Sequence, residues 1–481
     1  MRFEDRKVGN MDYQKAQKSI DRRSFLHSAA VAGAGVALCP MAWGQTSGDK
    51  ADSINVALLG VGEQGQVLMS ACLKIPGIRI KAVCDIWEAY NQTRVSRILG
   101  KFRHEHNTYV DHREMLDNEK YLDAVIIATP DFWHAEHTVD CLNAGLHVYC
   151  EKEMSNTLEG ARKMVLAAKR SGKLLQIGHQ RRSYPRYVFC YENLIKGAKL
   201  LGQITAVNGQ WNRRASEPLG WPKNCPIDQA ILEKYGYTSM EQFRNWRWYK
   251  GLGGGPMVDL GSHQIDIYNW FLEARPKSVI ASGRTNFYDR KTHEWPDTVM
   301  AVYEYQTARG NVTAFYQTVS SSGSGGYFES FMGNEGALII SESHNKCEIY
   351  RDERAAPPWD QWVKDGLLYK QCDCEIDYIE KAKEECVEKC GCAQITERTT
   401  GAVLDVRESP PPPKYDLPVA MNKKPHQMHL ENFFDAVYSG GNVALTCPAE
   451  TGYETAVAVL KVNEAVEAGR KLEFQPDGFT V

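Results

Sequence analysis

The sequence has no surplus of basic charge. Lysine and arginine number 57 against 60 aspartate and glutamate in 481 residues, a formal charge of -3, so no electrostatic footprint for a nucleic-acid backbone exists and no nucleic-acid partner is expected. Apart from one short apolar stretch near its start, the chain lacks any hydrophobic run of the roughly 20 residues that crosses a bilayer. It also lacks a metal-ligand spacing. Of fourteen cysteines, five crowd together at Cys372, Cys374, Cys386, Cys390 and Cys392. Their order, C-x-C, eleven residues, C-x-x-x-C-x-C, is no zinc pattern, and no metal is expected. In an oxidising compartment a disulfide-stapled helical insertion at about 370–393 is favoured over metal. The other cysteines, such as Cys84 and Cys141, stand in apolar contexts and read as small core residues.

What is present is a chain long enough for two domains with full cores, with 43% hydrophobic residues and eleven tryptophans. From Ile54 the run INVALLG suits a buried parallel strand. It feeds directly into Gly60-Val61-Gly62-Glu63-Gln64-Gly65 and a helical pattern. This is G-x-G-x-x-G in a strand–loop–helix setting: the glycines let backbone approach a pyrophosphate, and the helix N-terminus supplies N–H groups and positive potential. A second strand, IRIKAVCD, ends on Asp85 about twenty residues on, where a carboxylate accepts hydrogen bonds from ribose hydroxyls and repels a 2′-phosphate, which favours NAD over NADP. Two further strand–loop units end at Thr129-Pro130 and Glu151-Lys152, and KLLQIG supplies another strand. The alternation predicts an α/β fold with a doubly wound parallel sheet, whose strand ends place Thr129, Pro130, Glu151 and Lys152 around the cofactor.

The leader DRRSFLHSAAVAGAGVAL resembles a twin-arginine export signal, with Arg22-Arg23 before an apolar stretch and a small-residue ending near Gly44. That route moves proteins already folded. The expectation is an exported, periplasmic protein that travels with NAD tightly bound. Residues 1–44 are read as the signal, 45–52 as a linker, 53–180 as the NAD-binding domain and 181–481 as a substrate and oligomerisation domain.

In VDLGSHQIDIYNWF, Asp259 and His263 stand four apart, neighbours on one face if the segment is helical. An imidazole beside a carboxylate suits general base work on a hydroxyl proton. The structural alternative is a helix cap followed by a core histidine. Gly253-Gly254-Gly255 just before them permits either close substrate approach or a plain turn. Trp211, Asn212 and Arg213 follow a strand and offer stacking and hydrogen bonds to a sugar ring, at even odds with an ordinary exposed loop. Arg181 and Arg182 are equally readable as surface salt-bridge partners.

The stretches ATPDFWHAEHTVDCLNAGLHVYCEKE, GHQRRSYPRY, WYKGLGGGPMVDLGSHQIDIYNWF and HQMHLENFFDAVYSGG resemble, in order, the Gfo/Idh/MocA oxidoreductases. The resemblance implies a Rossmann domain followed by an α/β domain with an open, mostly antiparallel sheet, and a homo-oligomer. It places His134 and Gln180 near the cofactor and assigns catalysis to Lys152, Asp259 and His263. The family's usual Glu-Lys-Pro is Glu151-Lys152-Glu153 here, a departure that puts the pose of Lys152 in question. The implied activity is hydride transfer between a secondary hydroxyl of a sugar or glycoside, C3 being a candidate, and bound NAD, with an electron-accepting second substrate. The alternative is an NAD-dependent glycosidase that oxidises, eliminates and reduces again.

Overall fold

The computed structural model describes residues 53–343, 346–352, 355–370, 412–419 and 423–481. The twin-arginine leader and Cys372–Cys392 lie outside the described residues.

The first sheet is built from six short strands: β1 (Ile54–Leu59), β2 (Ile78–Cys84), β3 (Asn107–Tyr109), β4 (Ala124–Ile127), β5 (His147–Cys150) and β6 (Leu175–Ile177), of which β1, β4, β5 and β6 are almost wholly buried and β3 is an exposed edge. All neighbours are parallel, in the order β3-β2-β1-β4-β5-β6. The strand order reverses between β1 and β4, and ligands of open α/β sheets sit outside the strand ends at such a point. The loop after β1 opens directly there. Helix α1 (Glu63–Cys72) follows that loop and α2 (Asp131–Asn143) follows β4. Next comes α3 (Leu158–Ser171), capped by the Thr157 hydroxyl, which accepts from the Gly160 N–H at 3.1 Å.

The second sheet has ten strands among the described residues: β7 (Ile204–Asn212), β8 (Pro276–Arg284), β9 (Thr298–Thr307), β10 (Gly310–Val319), β11 (Tyr327–Gly333), β12 (Gly336–Ile340), β13 (Glu348–Arg351), β14 (Tyr369–Lys370), β15 (Lys414–Asp416) and β16 (Leu472–Glu473). Every neighbouring pair is antiparallel except β7 with β10. The run NVTAFYQT, readable from sequence as either edge or central strand, is β10 and lies centrally. Buried and exposed residues alternate along β9 and β10, as in a sheet with one covered face. Helices α4 (Ser262–Leu272) and α5 (Ala449–Ala468) lie against the covered face, where the Tyr268 hydroxyl donates to the Phe315 carbonyl and the Tyr303 hydroxyl to the Ala458 carbonyl.

A helix late in the chain, Pro425–Tyr438, returns to the first sheet. It buries Leu430, Phe433 and Phe434 among Val56, Leu58 and Tyr149, each side chain worth on the order of 2 kcal/mol in burial. The Gln176 amide donates to the His429 carbonyl at 2.8 Å across this junction. Cys84 and Cys141 are core residues, as their contexts suggest.

Candidate active site

The glycine loop is shaped by contact. Gly60 has φ +83°, and a Cβ there would lie 2.7 Å from the Thr129 nitrogen. A Cβ on Gly65 would sit 2.1 Å from the Gly60 carbonyl oxygen, so Gly65 packs helix to loop and does not line the cavity. That corrects its expected role as a direct cofactor contact. Gly62 is different: nothing lies within 4 Å of where its Cβ would be, and it opens α1 with no side-chain cap. Bare backbone at a helix N-terminus facing open space fits a pyrophosphate.

A cavity of about 630 Å³ runs from this loop toward α4, within the range of ligand-binding clefts. Gly60, Gly62, Glu63, Gln64, Asp85, Thr129, Pro130, His134, Glu151, Lys152 and Gln180 all line it, together with Trp211, Arg213, Asp259 and His263. Asp85 is buried; its carboxylate accepts from the Val61 and Trp87 N–H groups, both at 2.8 Å, and from the Asn91 amide at 3.2 Å. Burial pushes its pKa up, and the Trp87, Val61 and Asn91 hydrogen bonds offset part of that rise. The Asn91 contact is the longest of these, and Asp85 therefore shapes the loop as well as facing the ribose position. Gln64 donates to Glu151 at 3.0 Å, and the Glu151 carboxylate also accepts the Lys152 N–H. The His134 ring bridges the carbonyl oxygens of Thr129 and Glu153, each at 2.7 Å, and so ties the end of β4 to the Glu151–Glu153 turn. His134 thus braces the two turns from within the cavity wall, its single neutral-state N–H serving one of the two carbonyls. Burial pulls its pKa down to about 4 even though both carbonyls favour the cation.

At the opposite end the Lys152–Glu153 peptide is cis, and the Lys152 ammonium donates to the Asp259 backbone carbonyl and, at 3.2 Å, to its carboxylate. The Arg247 guanidinium lies 3.4 Å from the same carboxylate. Burial alone would raise the Asp259 pKa, but Lys152, Arg247 and Arg213 outweigh it and hold the group well below the usual carboxylate range. The segment Met257–Gly261 is one wide helical turn running into α4. Asp259 and His263 share the cavity wall, but the carboxylate bonds the two cations and not the imidazole. A desolvated carboxylate goes where positive charge is closest. His263 instead stacks near Trp211, ring centroids 5.1 Å apart. Burial, then the charges of Lys152 and Arg181, push its pKa well below the usual histidine value. Its Nδ1 is buried without a partner, which leaves Nε2 as the nitrogen toward the cavity.

Strand alternation decides the fate of the Trp211-Asn212-Arg213 run. Trp211 and Arg213 face the cavity, while Asn212 points the other way, donating to the Ser324 carbonyl at 2.8 Å and accepting from Gln317. Asn212 is therefore not a substrate-contacting residue. The Gly253–Gly255 stretch resolves to a packed turn: Cβ atoms there would meet Arg247 backbone, Val258 and Trp295, all within 3 Å. Arg181 and Arg182 are not surface residues. Arg181 is buried against Glu329 and lies 3.4 Å from Glu342, and Arg182 pairs with buried Asp266 at 2.9 Å.

Arg247 and Asp131 belong to the site and were not singled out from the sequence. Asp131 opens α2, is buried, accepts weakly from the Gly254 N–H at 3.3 Å and leaves Oδ1 without a partner. Burial, reinforced by Asp259, lifts its pKa to about 7. Arg247 stands in the aromatic-basic run NWRWYKG, a signal that was readable. Among the described residues one group, His112, Glu136 and Asp140, has the ligand spacing for a metal ion, but Arg113 pairs with both of its carboxylates.

Residues 54–179 match the model of an oxidoreductase family with an NAD-binding Rossmann fold, and residues 197–339 match the GFO/IDH/MocA C-terminal domain. Together the matches span more than half of the chain. A scyllo-inositol 2-dehydrogenase (NADP(+)) of Bacillus subtilis is 29% identical over 236 residues, which cover 48% of this chain and 55% of the relative. A glycosyl hydrolase family 109 protein of Shewanella baltica is 30% identical over 176 residues, 32% of this chain and 38% of the relative. Among solved structures, a levoglucosan dehydrogenase in complex with NADH and levoglucosan superposes with a TM-score of 0.61 at 16% identity, covering 88% of this chain and 99% of that one. At that identity the likeness is one of fold.

Proposed function

The chain belongs to the Gfo/Idh/MocA oxidoreductase family, and from that premise we propose that it is an exported dehydrogenase moving a hydride between a secondary hydroxyl carbon of a sugar or glycoside, C3 among the candidates, and a tightly held NAD. The observation that carries this reading is that one cavity joins the open glycine loop and Asp85 to Lys152, Asp259 and His263. NAD, when bound, supplies the hydride acceptor. The rest falls to side chains. Asp259, kept ionised, fixes the Lys152 ammonium through two of its donors, and a third remains for the substrate oxygen as negative charge develops there. His263 is held neutral and takes the hydroxyl proton at Nε2. Burial and the neighbouring cations weaken it as a base, and the Lys152 ammonium offsets this by stabilising the alkoxide that develops as the hydroxyl proton leaves.

Trp211, packed between Tyr327 at 4.6 Å and His263 at 5.1 Å with Arg213 at 5.2 Å, is a rigid aromatic wall beside the base against which a sugar ring would rest. A retained cofactor needs a second, electron-accepting substrate to turn over. NAD is favoured over NADP by the buried carboxylate of Asp85. Homo-oligomerisation is supported by Ile280 and Met300, which lie exposed on neighbouring strands of the open sheet face. The similarity to a glycosyl hydrolase family 109 protein favours a second reading, a glycosidase with transient oxidation. Incubation with a glycoside panel separates the two: loss of two hydrogens by mass supports the dehydrogenase, and aglycone release without a keto-sugar supports the glycosidase.

A further inference from the structure

Asp85 marks the adenosine end of the cavity, since ribose hydroxyls sit at the end of the second strand in this fold. Between β7 and the wide turn at Met257, the chain makes a long excursion over that end. Its residues Leu219, Tyr237, Phe243 and Arg244 line the same cavity as Asp85 and Ile86, and the Phe243 ring packs edge-on to Trp87, two residues after Asp85, at 5.7 Å.

The excursion is fastened to the first sheet's edge and not to the main cores. The Trp87 indole N–H donates to the Cys225 carbonyl at 2.7 Å, and the Trp133 indole N–H to the Tyr235 carbonyl at 3.3 Å. The Tyr235 hydroxyl donates to the Val110 carbonyl at 3.1 Å, and Lys234 pairs with Asp111 at 3.0 Å. Trp87, Ile227, Leu232, Tyr235, Tyr237 and Met240 form an apolar cluster of their own, separate from the two larger ones. Arg244 reaches Glu63 on the glycine-loop helix at 3.5 Å and lies over the Trp87 ring at 5.5 Å. A small cluster with a few polar tethers at its rim can detach as a unit while the larger cores stay intact.

We infer that residues 217–246 are a cover over the adenosine half of the dinucleotide site, and that cofactor release requires this cover to lift. The inference rests on the reading that the cavity takes a dinucleotide. It adds that retention is set by the excursion of residues 217–246 rather than by the glycine loop. The site thus gains Tyr237, Phe243 and Arg244 as residues of the adenosine end.

The test uses the full chain, freed of nucleotide and reloaded with NADH, and follows loss of NADH fluorescence into excess NAD. The double variant Lys234→Ala/Tyr235→Phe and the single variant Trp133→Phe each remove tethers while leaving the glycine loop untouched. Each tether is worth a modest net amount, so release is expected to quicken about tenfold in the double variant. NADH should also slow backbone hydrogen exchange across residues 217–246. Release within twofold of wild type in both variants, or no added protection of that segment, overturns the cover. Wild-type release too fast to survive desalting would instead overturn the retention proposed above, and the ratio of rates would still decide the cover.

Discussion

The two ends of the cavity are held in different ways. At the glycine-loop end every buried carboxylate oxygen already has a protein donor and is held in place for a ligand: Asp85 accepts from Val61, Trp87 and Asn91, and Glu151 accepts from Gln64 and Lys152. At the α4 end, Asp131 Oδ1, Glu153 Oε2 and His263 Nδ1 are buried without partners, and order comes from Lys152 and Arg247 converging on Asp259. Unmade hydrogen bonds in a buried place are costly. The first end is a finished scaffold, whereas the second keeps polar capacity and charge in reserve, as sites that bind and transform a ligand do.

That difference predicts that damage to the two ends separates cleanly. His263→Asn should cut turnover by about 10²–10⁴-fold while nucleotide binding and melting stay near wild type, and Lys152→Ala should cut turnover as far but also lower the melting temperature, since it leaves buried Asp259 with Arg247 alone; steady-state kinetics beside NADH titration and a melt reads all three. Gly60→Ala should do the reverse, since its Cβ would strike the Thr129 backbone in a left-handed conformation. Nucleotide binding should be lost and stability should fall by about 1–3 kcal/mol in a denaturant melt. A smaller effect should come from the substrate wall: Trp211→Ala raises KM, whereas Asn212→Ala, on the opposite face of the strand, changes KM little.

The smallest effect concerns pH. Asp131 has a folded pKa raised from 3.8 to about 7, and Glu153 one raised from 4.5 to about 8. The folded state then holds protons that the unfolded chain has lost, so these groups erode stability as pH rises from near 4 toward 8. Asp131→Asn should flatten that part of the melting profile and gain stability at pH 8 relative to wild type. A parallel profile would show that Asp131 is ionised at neutral pH.

Much of this was legible in the sequence because local constraints are strict. The glycine loop, Asp85 at the end of β2, and Lys152 at the end of β5 follow from strand–loop–helix alternation and resemblance to known oxidoreductases. The doubly wound sheet and the mostly antiparallel second sheet follow likewise. What was not legible depends on contacts between distant segments. The pairing of Asp259 with Lys152 and Arg247 joins residues up to 107 positions apart, and no spacing rule encodes it. Asn212 was misplaced because a run of three polar or aromatic residues hides the period-two alternation that sends its middle member away. Gly65 was assigned to the cofactor although its tight packing needs only the helix and the loop. Arg181 and Arg182 looked like surface charges, yet Glu329 and Asp266 approach from strand and helix far along the chain.

The most direct test of the central claim, that this cavity holds its own dinucleotide through the catalytic cycle, is to desalt the purified full chain, denature it and identify what is released. The account predicts NAD or NADH in stoichiometric amount. Protein that releases no nucleotide, and that binds NAD only when it is supplied at millimolar concentration, would contradict it.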